Sequence, residues 1–292
     1  MPPSLSKKEG STRYFGHCEV IAVTAVSPYS HTEKQLNTNS NNFNSSNTQD
    51  SLSQIIQNFY KTDIKEKGPT IQNSINEVIF EEDLSIVVDD LVNLCFKEVN
   101  EGKEEIVTKQ HVIGYINKHK LGSHEFYNWL LNNQNDPNSI YLLGYFNYHG
   151  IEINIDMKKA FKLFQKAANL ENNTAQFDLA YMCMDGAVDK NYNKAFELSE
   201  NLAKKGYPSG INLLGYCYEN GIGTYTNMKK AFELFQKAAN LKNNLAQYNL
   251  ALMYEFGNGT KKDIHQAIYW YKESAEQGDT FAQEKLKKLL AE

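Results

Sequence analysis

The histidines and cysteines are the residues of this chain that could bind a metal or form disulfides, and their spacing argues against both. The seven histidines include no His-x-x-x-His pair, and none has a cysteine neighbour at the spacing of a zinc site. No Cys-x-x-Cys motif is present, and the four cysteines are scattered: Cys18, Cys95, Cys183 and Cys217. We therefore expect no metal and no cofactor, and we interpret the cysteines as free thiols of a cytoplasmic protein.

No group of residues has the arrangement of a catalytic site. Gly257 and Gly259 are too close together for a phosphate-binding loop, and a turn after a helix explains them. Serine, cysteine and carboxylate side chains are present, but the sequence pairs none of them with a base and an orienting residue. The kinase motifs Gly-x-Gly-x-x-Gly, His-Arg-Asp and Asp-Phe-Gly are absent. The sequence therefore favours a protein that is not an enzyme.

The charge distribution argues against nucleic acid and membrane as partners. The net charge is −5, and residues 71–136 alone carry −7, with 12 acidic and 5 basic side chains. Arg13 is the only arginine, so the bidentate guanidinium contacts that read phosphate and guanine are almost absent. The apolar stretch at residues 20–26 is too short to cross a bilayer. We therefore expect no nucleic-acid binding and no membrane insertion.

The N-terminal half divides into two regions of different composition. Residues 31–58 are dominated by Asn, Ser, Thr and Gln, which predicts a disordered, low-complexity N-terminal region over 1–70. From residue 71 to residue 135 the apolar residues recur at helical spacing, which predicts helices at 84–99, 108–118 and 123–132. We expect this acidic helical segment to cap the C-terminal region, and docking of a separate kinase domain is the alternative.

The C-terminal half, residues 136–292, repeats itself with a period of 35 or 36 residues. Residues 158–180 match residues 229–251 at 18 of 23 positions, an offset of two periods. Two sets of residues mark the period in each of four repeats: Leu143, Leu179, Leu214 and Leu250, then Gly150, Gly186, Gly221 and Gly257. The regularity indicates four copies of one structural unit.

Each repeat has the pattern of two helices joined by a turn. In repeat three, residues 210–220 and 227–241 are the predicted helices, and Gly221 ends the first of them. One helix pair cannot bury its own apolar faces, so the four pairs must stack into a solenoid. Residues 280–291 predict a last helix that caps the array. The fold class is therefore all-α, a solenoid of helix-turn-helix repeats.

The repeat resembles the Sel-one-like repeat, a relative of the tetratricopeptide repeat, most clearly at residues 246–259. The resemblance implies a right-handed α/α superhelix that serves as an adaptor or scaffold in protein–protein interaction. Repeats one and two depart from the family pattern. They carry Asn147 and Cys183 where repeats three and four have Tyr218 and Tyr254. Their Gly-x-Gly turns are also incomplete, at residues 150–152 and 186–188, which predicts altered turns.

The acidic segment resembles the N-terminal extension of a group of fungal Sel-one-like proteins, in which the repeats often follow a protein kinase domain. This resemblance implies a protein kinase as a possible partner. It also leaves two alternatives to a plain adaptor. One is a regulatory module of a kinase-linked signalling protein, and the other is a hydrolase or ligand-binding protein that uses the groove.

In tetratricopeptide-like hairpins the first helix of each repeat lines the concave groove, and the resemblance transfers that role to the first helices here. The transferred positions lie two residues before and two and five after the marker leucine. They predict a protein-binding groove lined by Tyr141, Tyr145, Tyr148, Phe177, Tyr181, Tyr216, Glu219, Tyr248 and Glu255. Tyrosine-rich surfaces suit peptide capture because the ring supplies apolar area and the hydroxyl stays hydrated. Packing of some of these rings between helices is the alternative.

Overall fold

A computed structural model of the chain describes residues 69–291, with side chains from residue 84 onward. The predicted low-complexity region, apart from residues 69 and 70, lies outside the described residues. Within the described part all regular structure is helical, and Glu82–Glu292 belong to one compact unit. We number the helices α1 (Pro69–Glu101), α2 (Glu105–Lys118), α3 (Ser123–Asn132), α4 (Pro137–His149), α5 (Met157–Asn169), α6 (Asn173–Asp185), α7 (Tyr192–Lys204), α8 (Pro208–Asn220), α9 (Met228–Asn240), α10 (Asn244–Phe256), α11 (Ile264–Glu276) and α12 (Thr280–Leu289).

The four repeats are the helix pairs α4–α5, α6–α7, α8–α9 and α10–α11, followed by α12. From α3 to α12 each helix packs on the next along the chain, so each repeat is buried by its neighbours. The predicted all-α solenoid is confirmed. The first and the second helix of every repeat are each 13 residues long.

Start and stop signals recur at the same place in each repeat. The second helices all begin after an Asp or Asn whose side chain accepts a hydrogen bond from a first-turn amide: Asp156, Asn191, Asn227 and Asp263. The first helices all end at a glycine in the left-handed conformation, as predicted for Gly221, which has φ 70°. These caps explain why helix ends could be placed from the sequence to within a few residues.

The N-terminal helices extend beyond their predicted bounds. Helix α1 begins at Pro69 rather than residue 84, and α2 begins at Glu105 rather than residue 108. Proline is favoured in the first turn of a helix because its missing N–H has no helical partner there. Residues 71, 75, 78 and 79 are apolar and have helical spacing, so the sequence also indicates this part of α1, which the predicted bounds left out.

Glycine lets the two helices of a repeat approach closely. A Cβ atom on Gly144 would lie 2.8 Å from the Phe164 ring, and one on Gly215 would lie 2.8 Å from the Phe235 ring. Both glycines are on a first helix, and both phenylalanines are on the second helix of the same repeat. Since real Cβ atoms do not approach other carbons this closely, glycine is required for the pairing.

The turns after the first helices of repeats one and two were predicted to differ from those of repeats three and four. In repeats three and four, Gly223 and Gly259 take the left-handed conformation, with φ 64° and 70°. In repeat one Glu152 occupies the same position with φ 58°, so the turn is kept and the prediction is wrong there. In repeat two Val188 has no positive φ, so the turn differs as predicted. A β-branched residue is sterically excluded from the left-handed region.

We expect Glu152→Gly to stabilise the protein by about 0.5–1 kcal/mol. The left-handed conformation costs a glutamate on the order of 1–2 kcal/mol of folding free energy, which glycine avoids. The greater conformational freedom of glycine in the unfolded chain offsets about half of this gain. The measurement is the urea midpoint by circular dichroism. Glu152→Ala is the control, because alanine has a Cβ and should give no gain. Equal midpoints for the two variants would show that Glu152 is unstrained.

Candidate functional site

The C-terminal half of α1 lies across the first helices of the repeats, which we call the first-helix face (α4, α6, α8 and α10). Near repeat one, the Asn138 side chain donates a hydrogen bond to Asp89 at 2.8 Å. Near repeat three, the Phe96 ring meets the Tyr207 ring edge-on at 4.9 Å. The apolar side of α1 is buried there, with Leu91 and Cys95 fully buried. Helix α1 therefore covers part of the face that was predicted to be a groove.

Asn100 anchors the end of α1 to repeats three and four. Its side-chain oxygen accepts hydrogen bonds from the Ser209 hydroxyl at 2.9 Å and the Ser209 amide at 3.3 Å. Its main-chain carbonyl accepts one from the Asn243 side chain at 3.0 Å. Gly102 then lies so close to α10 that an added Cβ would be 2.8 Å from the Leu245 nitrogen. These contacts join residues more than 100 positions apart in the sequence.

Helix α2 turns back along α1 and reaches the end of α4. The Tyr115 hydroxyl donates to the Asp90 carboxylate at 2.7 Å, which holds α2 on α1. At the other contact the Lys109 ammonium donates to the His149 carbonyl at 2.8 Å. The α1–α2 hairpin (residues 84–118) thus packs on repeat one from two sides.

Two of the predicted groove residues, Tyr141 and Tyr248, are in the core. The Tyr141 ring packs on Phe164 at 5.6 Å, and the Tyr248 ring meets Tyr271 edge-on at 5.5 Å. Phe164 and Tyr271 belong to the second helix of the same repeat. Tyr141 is 1% exposed and Tyr248 is 6% exposed. Both rings therefore fill the space inside their helix pairs, and neither offers a surface to a partner.

Four further predicted residues, Tyr145, Tyr148, Phe177 and Tyr181, meet at one cleft, which we call the hairpin cleft. The α1–α2 hairpin closes it with Cys95, Val99, Glu105 and Thr108, and α4 and α6 complete it with Tyr141, His149 and Asp178. Its volume is about 30 Å³, room for about two water molecules. Tyr148, Tyr181 and Glu105 are partly exposed, so the cleft opens to solvent on their side.

The remaining three predicted residues lie on repeats three and four, away from the hairpin cleft. Tyr216 is partly exposed and Glu219 is nearly buried. Glu255 accepts hydrogen bonds from the Tyr271 hydroxyl and from the Lys285 ammonium, the latter at 3.0 Å. Since Glu255 is engaged by α11 and α12, its charge is largely satisfied within the chain.

Two acidic side chains of the hairpin cleft, Asp178 and Glu105, were missed in the sequence. Burial and the neighbouring Glu105 charge raise the pKa of Asp178 to about 8, against a hydrogen bond from Tyr141. Burial also raises the pKa of Glu105 to about 7, although Lys109 opposes the shift. Asp178 directly follows Phe177, but helix periodicity does not reveal that α1 and α2 cover it.

His149 and two hydroxyls complete the polar lining of the cleft. Burial, with Lys109 nearby, lowers the pKa of His149 to about 3, so its ring is neutral at physiological pH. The Tyr145 and Thr108 hydroxyls are buried and have no hydrogen-bond partner among the described residues. Unpaired buried hydroxyls cost free energy, so their presence at one cleft suggests an occupant with polar groups.

Residues 69–291 contain neither a candidate metal site nor a membrane-spanning helix. No group of three or more His, Cys, Asp and Glu side chains in this range could hold a metal ion. No helix in the same range is both long enough and apolar enough to cross a bilayer.

Comparison with known proteins places the repeats in one family. The Sel1 repeat model matches residues 137–172, 173–207, 208–243 and 244–279. An uncharacterized Sel1-like repeat-containing protein of Schizosaccharomyces pombe is 34% identical over 96 residues, 32% of this chain and 14% of that protein.

Two solved structures are similar to this chain. A Sel1 repeat protein from Oxalobacter formigenes is 32% identical over 53% of this chain and 63% of its own, with a TM-score of 0.48. A protective antigen of uropathogenic Escherichia coli that displays an SLR fold is 26% identical over 55% of this chain and 35% of its own, with a TM-score of 0.50. The chain therefore spans less than two thirds of each of these relatives.

We expect Asn100→Ala to loosen α1 from the array. The variant leaves the buried Ser209 hydroxyl and amide without their acceptor, which should cost about 1–3 kcal/mol. The measurement is hydrogen exchange of the α1 amides, together with the urea midpoint. Lys97→Ala, on the exposed side of the same helix, is the control and should change neither. If α1 exchanges equally fast in both variants, Asn100 does not anchor it.

We expect the free energy of unfolding to fall as the pH rises from 6.5 to 8.5, and Asp178→Asn to reduce this fall. A carboxyl group whose pKa is raised to about 8 in the folded protein keeps its proton there, whereas the unfolded chain has lost it. Its stabilising contribution is full below its unfolded pKa and is lost as the pH passes about 8. His149 is neutral in both states over most of this range, so it adds little. If the urea midpoint falls with pH by the same amount in the wild type and in Asp178→Asn, the raised pKa of Asp178 is contradicted.

Proposed function

Since residues 137–279 belong to the Sel1 repeat family, we propose that this chain is a non-catalytic adaptor that holds a protein or peptide partner on its first-helix face. The family and the four repeats predicted from the sequence are confirmed. Sel1 solenoids commonly act as scaffolds for protein interaction and are generally not catalytic. The identity of the partner and the site it occupies belong to the proposal.

The observation that carries the proposal is the position of α1. A helix with one apolar side packs across the first helices, and its end is held by hydrogen bonds to the starts of α8 and α10. The face therefore accommodates a helical segment and forms hydrogen bonds with both its backbone and its side chains. Capture of an amphipathic helix by an apolar face is a common mode of peptide recognition.

We propose that the partner binds beside α1, toward the C-terminal ends of the first helices. Tyr181 and Tyr216 are partly exposed on neighbouring repeats there, and Asp185 and Asn220 are exposed further along the same helices. Phe256 is 43% exposed at the end of α10. Tyrosine rings beside acidic and amide groups suit a peptide that offers both apolar and basic side chains.

Cytoplasmic location is part of this proposal. The three cysteines among the described residues, Cys95, Cys183 and Cys217, are free and buried, which supports a reducing compartment. A protein kinase as the partner, or a role as a regulatory module of a kinase-linked protein, stays a prediction from the resemblance of the acidic segment. No contact of the described residues favours it over another protein partner.

We expect a photo-crosslinking phenylalanine at position 216 to capture a partner protein in cell extract. The aromatic analogue keeps the size of Tyr216, so binding should persist and the reactive group should touch the partner. The same analogue at position 269 is the matched control, because Tyr269 is equally aromatic and 49% exposed but lies on a second helix. The measurement is mass spectrometry of the products after denaturing purification.

A product specific to position 216 would support the proposed face. If positions 216 and 269 give the same crosslinked products, the captured proteins touch the array without a preference for the first-helix face. No product from position 216, with an intact helical spectrum, would contradict binding at Tyr216. Either of these two results would favour a binding surface on the second helices or on the outer side of α1.

A further inference from the structure

We propose that the hairpin cleft binds a primary ammonium group, either of a small free amine or of a lysine side chain. The proposal goes beyond the adaptor function. The cleft shares Tyr181 with the proposed partner surface, but its charged groups lie under the α1–α2 hairpin, so small amines test the cleft without a protein partner. Three properties of the cleft carry the proposal: its charge, its unpaired hydroxyls, and its aromatic walls with their small volume.

The cleft can balance one added positive charge by ionising its carboxyl groups. Its two carboxylates, Glu105 and Asp178, are accompanied by one ammonium group, that of Lys109, which also bonds the His149 carbonyl. His149 itself is neutral because burial lowers its pKa to about 3. With both carboxylates ionised, these groups leave one negative charge. A bound monovalent cation would allow both carboxyl groups to ionise and would balance the charge that they leave.

The hydroxyls of the cleft can accept the protons of an ammonium group. The Tyr145 and Thr108 side-chain oxygens are buried, each residue being 4% exposed, and no described residue forms a hydrogen bond with them. A primary ammonium group has three N–H donors and no acceptor. The two hydroxyl oxygens and the Asp178 carboxylate provide three acceptors in one cleft. The bound group would satisfy atoms that the fold otherwise leaves unpaired.

The walls and volume of the cleft favour a small organic cation. The rings of Tyr148, Phe177 and Tyr181 line it, and aromatic rings attract ammonium groups. A volume of about 30 Å³ admits the head of an alkylammonium ion through the open side at Tyr148 and Tyr181. A tetramethylammonium ion carries four methyl groups and is too large for this space.

Protonation of Asp178 should compete with the ligand. Burial raises the pKa of Asp178 to about 8, so the free protein holds a proton there at neutral pH, and the ammonium group would displace it. Besides the lining tyrosines, the titratable groups around the cleft are Cys95 and Glu98 on α1, Glu105 and Lys109 on α2, His149 on α4, and Asp185 on α6. Binding should therefore tighten from pH 6 to pH 8.5 and release protons.

The test is calorimetric titration of the full chain with methylammonium chloride, in buffers that contain no primary amine. We expect binding heat that depends on the ionisation enthalpy of the buffer, and affinity that is at least tenfold weaker in Asp178→Asn. Methanol, similar in size but uncharged, should give no signal. Sodium and potassium chloride at equal concentration should give none either, and an equal signal from any of these controls would overturn the proposal.

Two further ligands separate the sources of the ammonium group. N-acetyl-lysine methylamide presents the lysine side chain, and tighter binding of this compound than of methylammonium would assign the cleft to a protein ligand. Binding of methylammonium alone would assign it to a free amine. Binding of tetramethylammonium with equal affinity would overturn the proposal, because such an ion can only associate with the surface. Absence of binding by both primary amines would overturn it as well.

A folding control keeps the test decisive. Asparagine matches the shape of the protonated aspartic acid, so Asp178→Asn should keep the wild-type circular dichroism spectrum. If it does not fold, Glu105→Gln removes the other carboxylate at a partly exposed position and should weaken methylammonium binding in the same direction. Unchanged affinity in a folded variant of either kind would show that the carboxylates do not hold the cation.

Discussion

The whole fold depends on burial that each helix pair obtains only from its neighbours. A repeat of two 13-residue helices, such as α8–α9, has apolar side chains on more sides than its own packing can cover. Its second helix also packs on the first helix of the next repeat, as the edge-on packing of Phe232 on Tyr254 illustrates. The first helices retain an uncovered face. In this chain α1 supplies part of that cover, because Leu91 and Val99 join the same apolar core as Leu245 at the start of α10.

Covering the first-helix face with the chain's own helix changes what the face can do. Where α1 lies, apolar and aromatic residues of repeats one and two are removed from solvent, and a partner would have to displace the helix to reach them. Beyond α1, toward Tyr216 and Phe256, the face remains accessible. The hairpin cleft forms at the border between these two areas. Its polar lining comes from both sides: Glu105 and Thr108 of α2 face His149 of α4 and Asp178 of α6.

The repeats could be predicted from the sequence, and the position of α1 could not. Leucines and glycines at fixed intervals, with Asp or Asn before most helices, are local signals that act within a few residues. The bond from Ser209 to Asn100 crosses 109 positions and has no local signal at either end. The burial of Tyr141 and Tyr248 matches the alternative of rings packed between helices, and it has another cause. The position two residues before the leucine faces the second helix of the same repeat, where Tyr141 meets Phe164 and Tyr248 meets Tyr271.

The hairpin cleft couples ligand binding to the order of the array. Its walls come from four helices, α1, α2, α4 and α6, so the site is complete only while the hairpin is docked. A ligand that binds only the docked state stabilises that state by mass action. The stabilisation grows with the logarithm of the ratio of ligand concentration to dissociation constant once that ratio exceeds one. Such a ligand would hold α1 on the first-helix face and oppose any partner that displaces it. A partner that binds beside α1 at Tyr216 would be unaffected, so sensitivity to the ligand distinguishes the two modes of binding.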